Sequence, residues 1–168
     1  MDYYDLIPLG SGLKAGDEFK SFKVEPMVLH PRMWAEYPNR LSLTWNMVKF
    51  DVSQLENVPD DVGGVYSFVA IPEIANHISC SYMFYVGKTD RTFRERYKEY
   101  LRGQRTGKIE FHKYEMLVKW RDYLWFCYAP INDTNMIKQL EDDLIGAYIP
   151  PFNKEYPAKI RDIMKVLR

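Results

Sequence analysis

Glu141 stands four residues from both Ile137 and Ile145, in a stretch whose Ile137, Leu140, Leu144, Ile145 and Tyr148 recur at helical spacing. Its carboxylate is therefore placed at the edge of a core-facing stripe, while the neighbouring Asp142 and Asp143 point elsewhere. A carboxylate held against apolar surface costs free energy unless a cation or a donor compensates it. A divalent metal or an arginine would do so, and spacing alone leaves the choice between a structural ion pair and a metal ligand open. Earlier in the chain come side chains that could act beside it: the phenols Tyr66, Tyr85 and Tyr100, the ammonium of Lys88 and the guanidinium of Arg96. A guanidinium stabilises negative charge as it develops. A phenol with its pKa near 10 orients a reactant by hydrogen bonding, and abstracts a proton only where a cation lowers that pKa. For each tyrosine taken singly, core packing is the ordinary alternative.

Twenty-three basic and 23 acidic residues give a net charge of zero, which by itself argues against a polyanionic partner. The distribution argues the other way. Residues 88–121 hold eleven Lys and Arg against five Asp and Glu, a surplus of six cations. That is either a solvated helix face or the footprint of a phosphate backbone. Cys80 and Cys127 lie in strand-like runs without CxxC or Cys/His clustering, so they read as reduced, packed thiols. His30, His77 and His112 have no metal-site spacing and are assigned no role. No run approaches 18 apolar residues and the first ten residues are acidic, so a cytoplasmic protein without membrane association is expected.

The elements that must hold these groups follow from periodicity. The turn chemistry of Val58–Gly64 introduces a strand over Val65–Ile71. After a loop from Pro72 to about Ser79, a second strand runs through Tyr82–Val86, with Gly87 allowing a sharp turn. Thr92 with Glu95 forms a capping box for a helix whose Phe93, Tyr97, Tyr100 and Leu101 make an apolar stripe, Arg96 beside it. A further helix is possible between Lys108 and Trp120, and Tyr123–Ala129 reads as a third strand. Asp133 or Thr134 caps the helix of Glu141, which ends at Pro150-Pro151. The expected class is α+β: a small, mainly antiparallel three-stranded sheet flanked by helices, with an N-terminal extension. Residues 1–60 form that extension, in which Phe22–Leu29 and Leu41–Phe50 could each be strand or short helix. Residues 61–155 form the domain, and 156–168 a short appended helix.

Gly64-Val65-Tyr66, Tyr85-Val86-Gly87-Lys88, Arg96 with Tyr100 four residues on, Glu141, and Pro150-Pro151-Phe152-Asn153 occur in the order found in GIY-YIG nucleases, which the stretch 64–153 resembles. The likeness is nearest to the N-terminal nuclease domain of the bacterial excision-repair endonuclease, here as a stand-alone protein. It implies a metal-dependent endonuclease acting on DNA, of restriction, phage or mobile-element type. Glu141 would hold one Mg²⁺ or Mn²⁺, Arg96 would contact the phosphate, and Tyr66 would orient or deprotonate the attacking water with Lys88 as helper. Tyr85 and Tyr100 would line the same concavity. Gly64, Gly87 and Asn153 would be structural, Asn153 tying the exit of the catalytic helix to the sheet. Arg91, Arg94, Lys98 and Arg102 would contact the nucleic-acid backbone. Tyr66 and Tyr85 lie nineteen residues apart, more than is usual in the family, and the longer loop could touch substrate. The step from Gly87 to the arginine is one residue longer than in the repair nuclease, which sets Arg94 against Arg96; the tyrosine four residues later selects Arg96.

Two further readings compete. The same basic segment could grip nucleic acid or protein without turnover, as a silent binding module. The N-terminal extension could serve a homodimer, since cutting two strands with one site per chain favours a pair.

Overall fold

The computed structural model describes residues 25, 27–37, 43–72 and 80–167. Residues 73–79, which carry His77 and most of the long loop, lie outside the described residues, as does Phe22.

β-branched and aromatic side chains suit a pleated surface packed on both sides. Two runs of that kind form strands β2 (Gly64–Ala70) and β4 (Leu124–Pro130), and Tyr82–Thr89 forms β3. A fourth strand, β1 (Asn46–Lys49), pairs with β4, so the sheet has four strands where the sequence led us to expect three. Its order is β1-β4-β2-β3 and every pairing is antiparallel. β1 escapes periodicity because it is short and lies at a sheet edge. Asn46 and Met47 are exposed, so no apolar alternation marks it.

Each face of the sheet is covered. Tyr66, Phe68, Phe126 and Tyr128 point to one side, where they meet Phe93, Tyr97 and Tyr100 of helix α2 (Phe93–Thr106) and Met116 and Leu117 of helix α3 (Phe111–Lys119). The capping box of Thr92 and Glu95 starts α2, and left-handed Gly107 ends it. On the other side Val65, Val86 and Ala129 meet Ile137, Leu140, Leu144 and Ile145 of helix α4 (Thr134–Tyr148). Asp133 caps α4 by accepting from the Asn135 amide. Helix α5 (Ala158–Leu167) follows it.

Part of the segment set apart as an extension belongs to this core. Phe50 and Val58 are buried within it, and the intervening 3₁₀ turn Val52–Asn57 is bound by Arg94, which donates to the carbonyls of Val58 and Glu56. Upstream, helix α1 (Pro31–Glu36) docks on the end of α4, where Trp34 Nε1 donates to the Ala147 carbonyl at 2.6 Å.

The exit of α4 is held against the free edge of β3. Ile149 ends the helix in the left-handed region at φ 45°, a costly conformation for a β-branched residue. Its side chain is buried with Ile160 and Met164, which offsets that cost. The turn brings Phe152 N–H to the Phe84 carbonyl at 3.0 Å. Asn153 then satisfies both backbone groups of Val86, accepting from its N–H at 2.9 Å and donating to its carbonyl at 2.8 Å. Val86 is fully buried, so Asn153→Ala leaves two polar groups without partners, at about 1–3 kcal/mol each. The expected outcome is a matching drop in urea-unfolding free energy.

Candidate active site

Tyr66 lies directly opposite Gly87 in the antiparallel register of β2 and β3, so both residues face the same side of the sheet. Because Gly87 has no side chain, the phenol of Tyr66 can lie across its backbone. A Cβ there would stand 2.6 Å from the Tyr66 ring and hydroxyl and 2.8 Å from the Tyr85 ring. Gly87→Ala is therefore expected to destabilise the fold by about 1–3 kcal/mol. It should also push the Tyr66 hydroxyl off its partners, and urea melts would register the combined loss. Gly64, at φ 147°, is fixed for a different reason: a Cβ would strike the Ala129 carbonyl.

From this position the Tyr66 hydroxyl accepts from Arg96 Nε at 2.9 Å and shares a 2.8 Å hydrogen bond with the Tyr100 hydroxyl. Arg96 and Tyr100 are four residues apart on α2, hence on one helical face. The guanidinium lies over the Tyr100 ring, 5.1 Å from its centroid. Tyr85 packs against both phenols, with centroids 6.3 Å from Tyr66 and 6.5 Å from Tyr100. Four of the residues singled out in the sequence thus form one cluster. The side chain of Arg96 is fixed at one further point, donating to Glu99 at 2.7 Å. Glu99 also accepts from Arg91 at 2.6 Å. Sequence reasoning missed Glu99, although its spacing of three from Arg96 was a usable signal. Burial works against the charge of Glu99, but the hydrogen bonds of Arg91 and Arg96 outweigh it and hold the carboxyl below its ordinary range.

Burial raises all three phenols above their ordinary pKa. For Tyr66 the nearby Arg96 works in the opposite direction and does not prevail. Tyr66 is also wholly inaccessible, so the expectation that it deprotonates a water does not suit this arrangement. What its hydroxyl does touch is Arg96 and Tyr100. Tyr85, 8% exposed, is the phenol that reaches the wall of a cleft.

That cleft, of about 1260 Å³, is also lined by Glu141, Lys113, Lys138 and Asn153. The Glu141 side chain is only 15% exposed, and burial raises its pKa above the ordinary carboxylate range against the opposing charges of Lys138 and Lys88. Lys138 stands 3.5 Å from Glu141 but 2.8 Å from Asp142, so its ammonium serves Asp142 first. Glu141 is thus a desolvated carboxylate facing open space with weak compensation, a fit for a divalent cation whose other ligands are waters and substrate oxygens. Among the described residues no group of three His, Cys, Asp or Glu stands together. Lys88 pairs with Asp90 at 3.2 Å. Asp142, expected to point elsewhere, lines the same cleft and shares Lys138 with Glu141, whereas Asp143 is buried and accepts from Gln139.

The four expected backbone contacts do not share one environment. Lys98 and Arg102 are on α2, Lys98 exposed and Arg102 exposed beside the half-buried Leu101, and Arg91 is exposed while tied to Glu99. Arg94 is engaged in structure, its guanidinium also pairing with Glu56 at 3.1 Å and Asp60 at 3.5 Å. Cys80 and Cys127 are free thiols. Among the described residues no helix is long and apolar enough to cross a membrane. Comparison of the chain with protein-family models, curated proteins and solved structures finds no match.

Proposed function

We propose that this chain is a metal-dependent endonuclease that hydrolyses phosphodiester bonds in DNA through a site of the GIY-YIG type. The observation that carries the reading is the convergence of Arg96, Tyr66, Tyr100 and Tyr85 into one hydrogen-bonded and ring-packed cluster whose cleft-facing member shares a wall with Glu141. Sequence order alone does not require those residues, up to 75 positions apart, to meet.

The geometry supports the following division of labour. Arg96 has its Nε committed to Tyr66 and its orientation fixed by the Tyr100 face, so its outer nitrogens can exchange Glu99 for a phosphate at little cost in order. Preorganised in this way, it opposes the charge that grows on the phosphate during attack. Tyr85 stays protonated and presents a donor at the cleft. Glu141 would hold the Mg²⁺ or Mn²⁺, which supplies Lewis acidity to the scissile phosphate and its leaving oxygen. Asn153 fixes the exit of α4 to β3 and so limits how far Glu141 can drift from Tyr85. A second copy would provide a second site for the opposite strand.

The test is supercoiled plasmid incubated with purified protein and Mg²⁺ or Mn²⁺. Relaxation or linearisation that stops on chelation supports the reading. Intact plasmid across divalent ions and substrates, with binding retained, supports a silent module instead.

A further inference from the structure

Lys113 lies on the stripe of α3 that carries Met116 and Leu117, three and four residues on, and like them it is buried. Its ammonium reaches the wall of the cleft, 5.4 Å from the centroid of the Tyr85 ring. A lysine brought this far out of water needs an anion. Within the chain that anion is Glu110, whose two carboxylate oxygens each stand 3.1 Å from the ammonium. Glu110 is a poor permanent partner: its side chain is 61% exposed, so water screens the pair. It also occupies the N-cap position of α3 without making the side-chain hydrogen bond that such a position allows. Two oxygens of a carboxylate on one ammonium reproduce the contact that a phosphate would make. At Arg96 too the cation is met by a carboxylate three residues away, Glu99, there through one oxygen while the other holds Arg91.

We infer that Lys113 is a phosphate-binding residue of the cleft, occupied by Glu110 in the free protein and transferred to a backbone phosphate of the nucleic acid when substrate enters. This rests on the nuclease reading and deepens it, because it routes the strand past the start of α3 as well as along α2. With Tyr85 between it and the Arg96 cluster, Lys113 would grip substrate at a second point and fix the direction of the strand across the site.

Binding of a short fluorescent DNA duplex, followed in chelator so that no turnover occurs, separates this role from a structural one. Lys113→Met keeps most of the aliphatic stem and removes the charge. It should weaken binding about tenfold and reduce the slope of log affinity against log salt by about 0.9, the loss of one phosphate contact. Lys113→Arg should restore the slope. Glu110→Gln acts in the opposite direction: with its competitor neutralised, Lys113 should bind DNA more tightly than in the unaltered protein. That variant keeps the core intact and decides the matter if Lys113→Met fails to fold. A Lys113→Met protein with the unaltered slope, or a Glu110→Gln protein that binds no tighter, would overturn the inference while leaving the nuclease reading in place. Unaltered protein that neither binds nor cuts DNA would overturn both.

Discussion

Arg96→Ala is expected to slow phosphodiester cleavage by about 10²–10³-fold, the range found when one preorganised donor is removed from developing oxyanion charge. Arg96 has a double occupation, since Nε holds Tyr66 while the outer nitrogens face Glu99. Its removal therefore also leaves the Tyr66–Tyr100 hydroxyl pair without its charged donor in a site that water does not reach. That adds a stability loss of about 1–3 kcal/mol. Arg96→Lys separates the two effects, because an ammonium keeps the charge and cannot span both partners with a planar fork. It should recover affinity for DNA and little of the rate. Single-turnover cleavage beside urea unfolding of each variant distinguishes them, and a wild-type rate in either variant would exclude Arg96 from the chemistry.

Glu141→Gln should abolish cleavage and make the protein more stable at neutral pH. Burial raises the folded-state pKa of Glu141 above its value in the unfolded chain. A group shifted in that direction gives its full contribution below the unfolded pKa and loses it as pH rises through the folded pKa. At neutral pH the ionised side chain is thus a cost to folding, and the amide removes it. In a chain of this size each kcal/mol gained raises the unfolding midpoint by about 2–4 °C. The difference between Gln and Glu should vanish on acidification below the ordinary carboxylate range. A divalent ion should reverse the order: it stabilises only the form that binds it, by about 2.7 kcal/mol at a hundred times its dissociation constant. Mg²⁺ or Mn²⁺ should accordingly raise the melting midpoint of the wild type and leave that of Glu141→Gln unmoved. Cleavage should fall with decreasing pH sooner than an ordinary glutamate would dictate, since protonation competes with the ion.

The elements between Gly64 and Tyr148 were legible because each is longer than about one period of its own pattern and sits between turn residues or caps. β2, β3, β4, α2 and α4 lie within a few residues of their expected places. β1 was legible only as an undecided strand or short helix over Leu41–Phe50, for its four residues are placed by pairing with β4, from Asn46↔Tyr128 to Lys49↔Trp125, a contact between distant parts of the chain that no local window contains. The site divides in the same way. Arg96 with Tyr100, and Glu141 on its stripe, are local spacings, whereas the meeting of Tyr66 with Gly87 is a matter of register. Lys113 is the instructive omission. It shares a helical stripe with Met116 and Leu117 as Glu141 shares one with Ile137 and Ile145, so the spacing that marks the carboxylate marks the ammonium too. The binding of Arg94 to the 3₁₀ turn was not legible, because nothing in its local spacing marks that contact.

In the proposed site one phosphate touches Arg96 and Tyr85 while a metal on Glu141 holds the same group. Anomalous diffraction from the protein crystallised with Mn²⁺ and a duplex carrying an uncleavable phosphorothioate tests it most directly. A single anomalous peak is expected about 2.1 Å from a Glu141 carboxylate oxygen, shared with a phosphate whose other oxygens face Arg96. Manganese bound elsewhere, or a duplex seated away from the β3 edge with Glu141 still on Lys138, would contradict it.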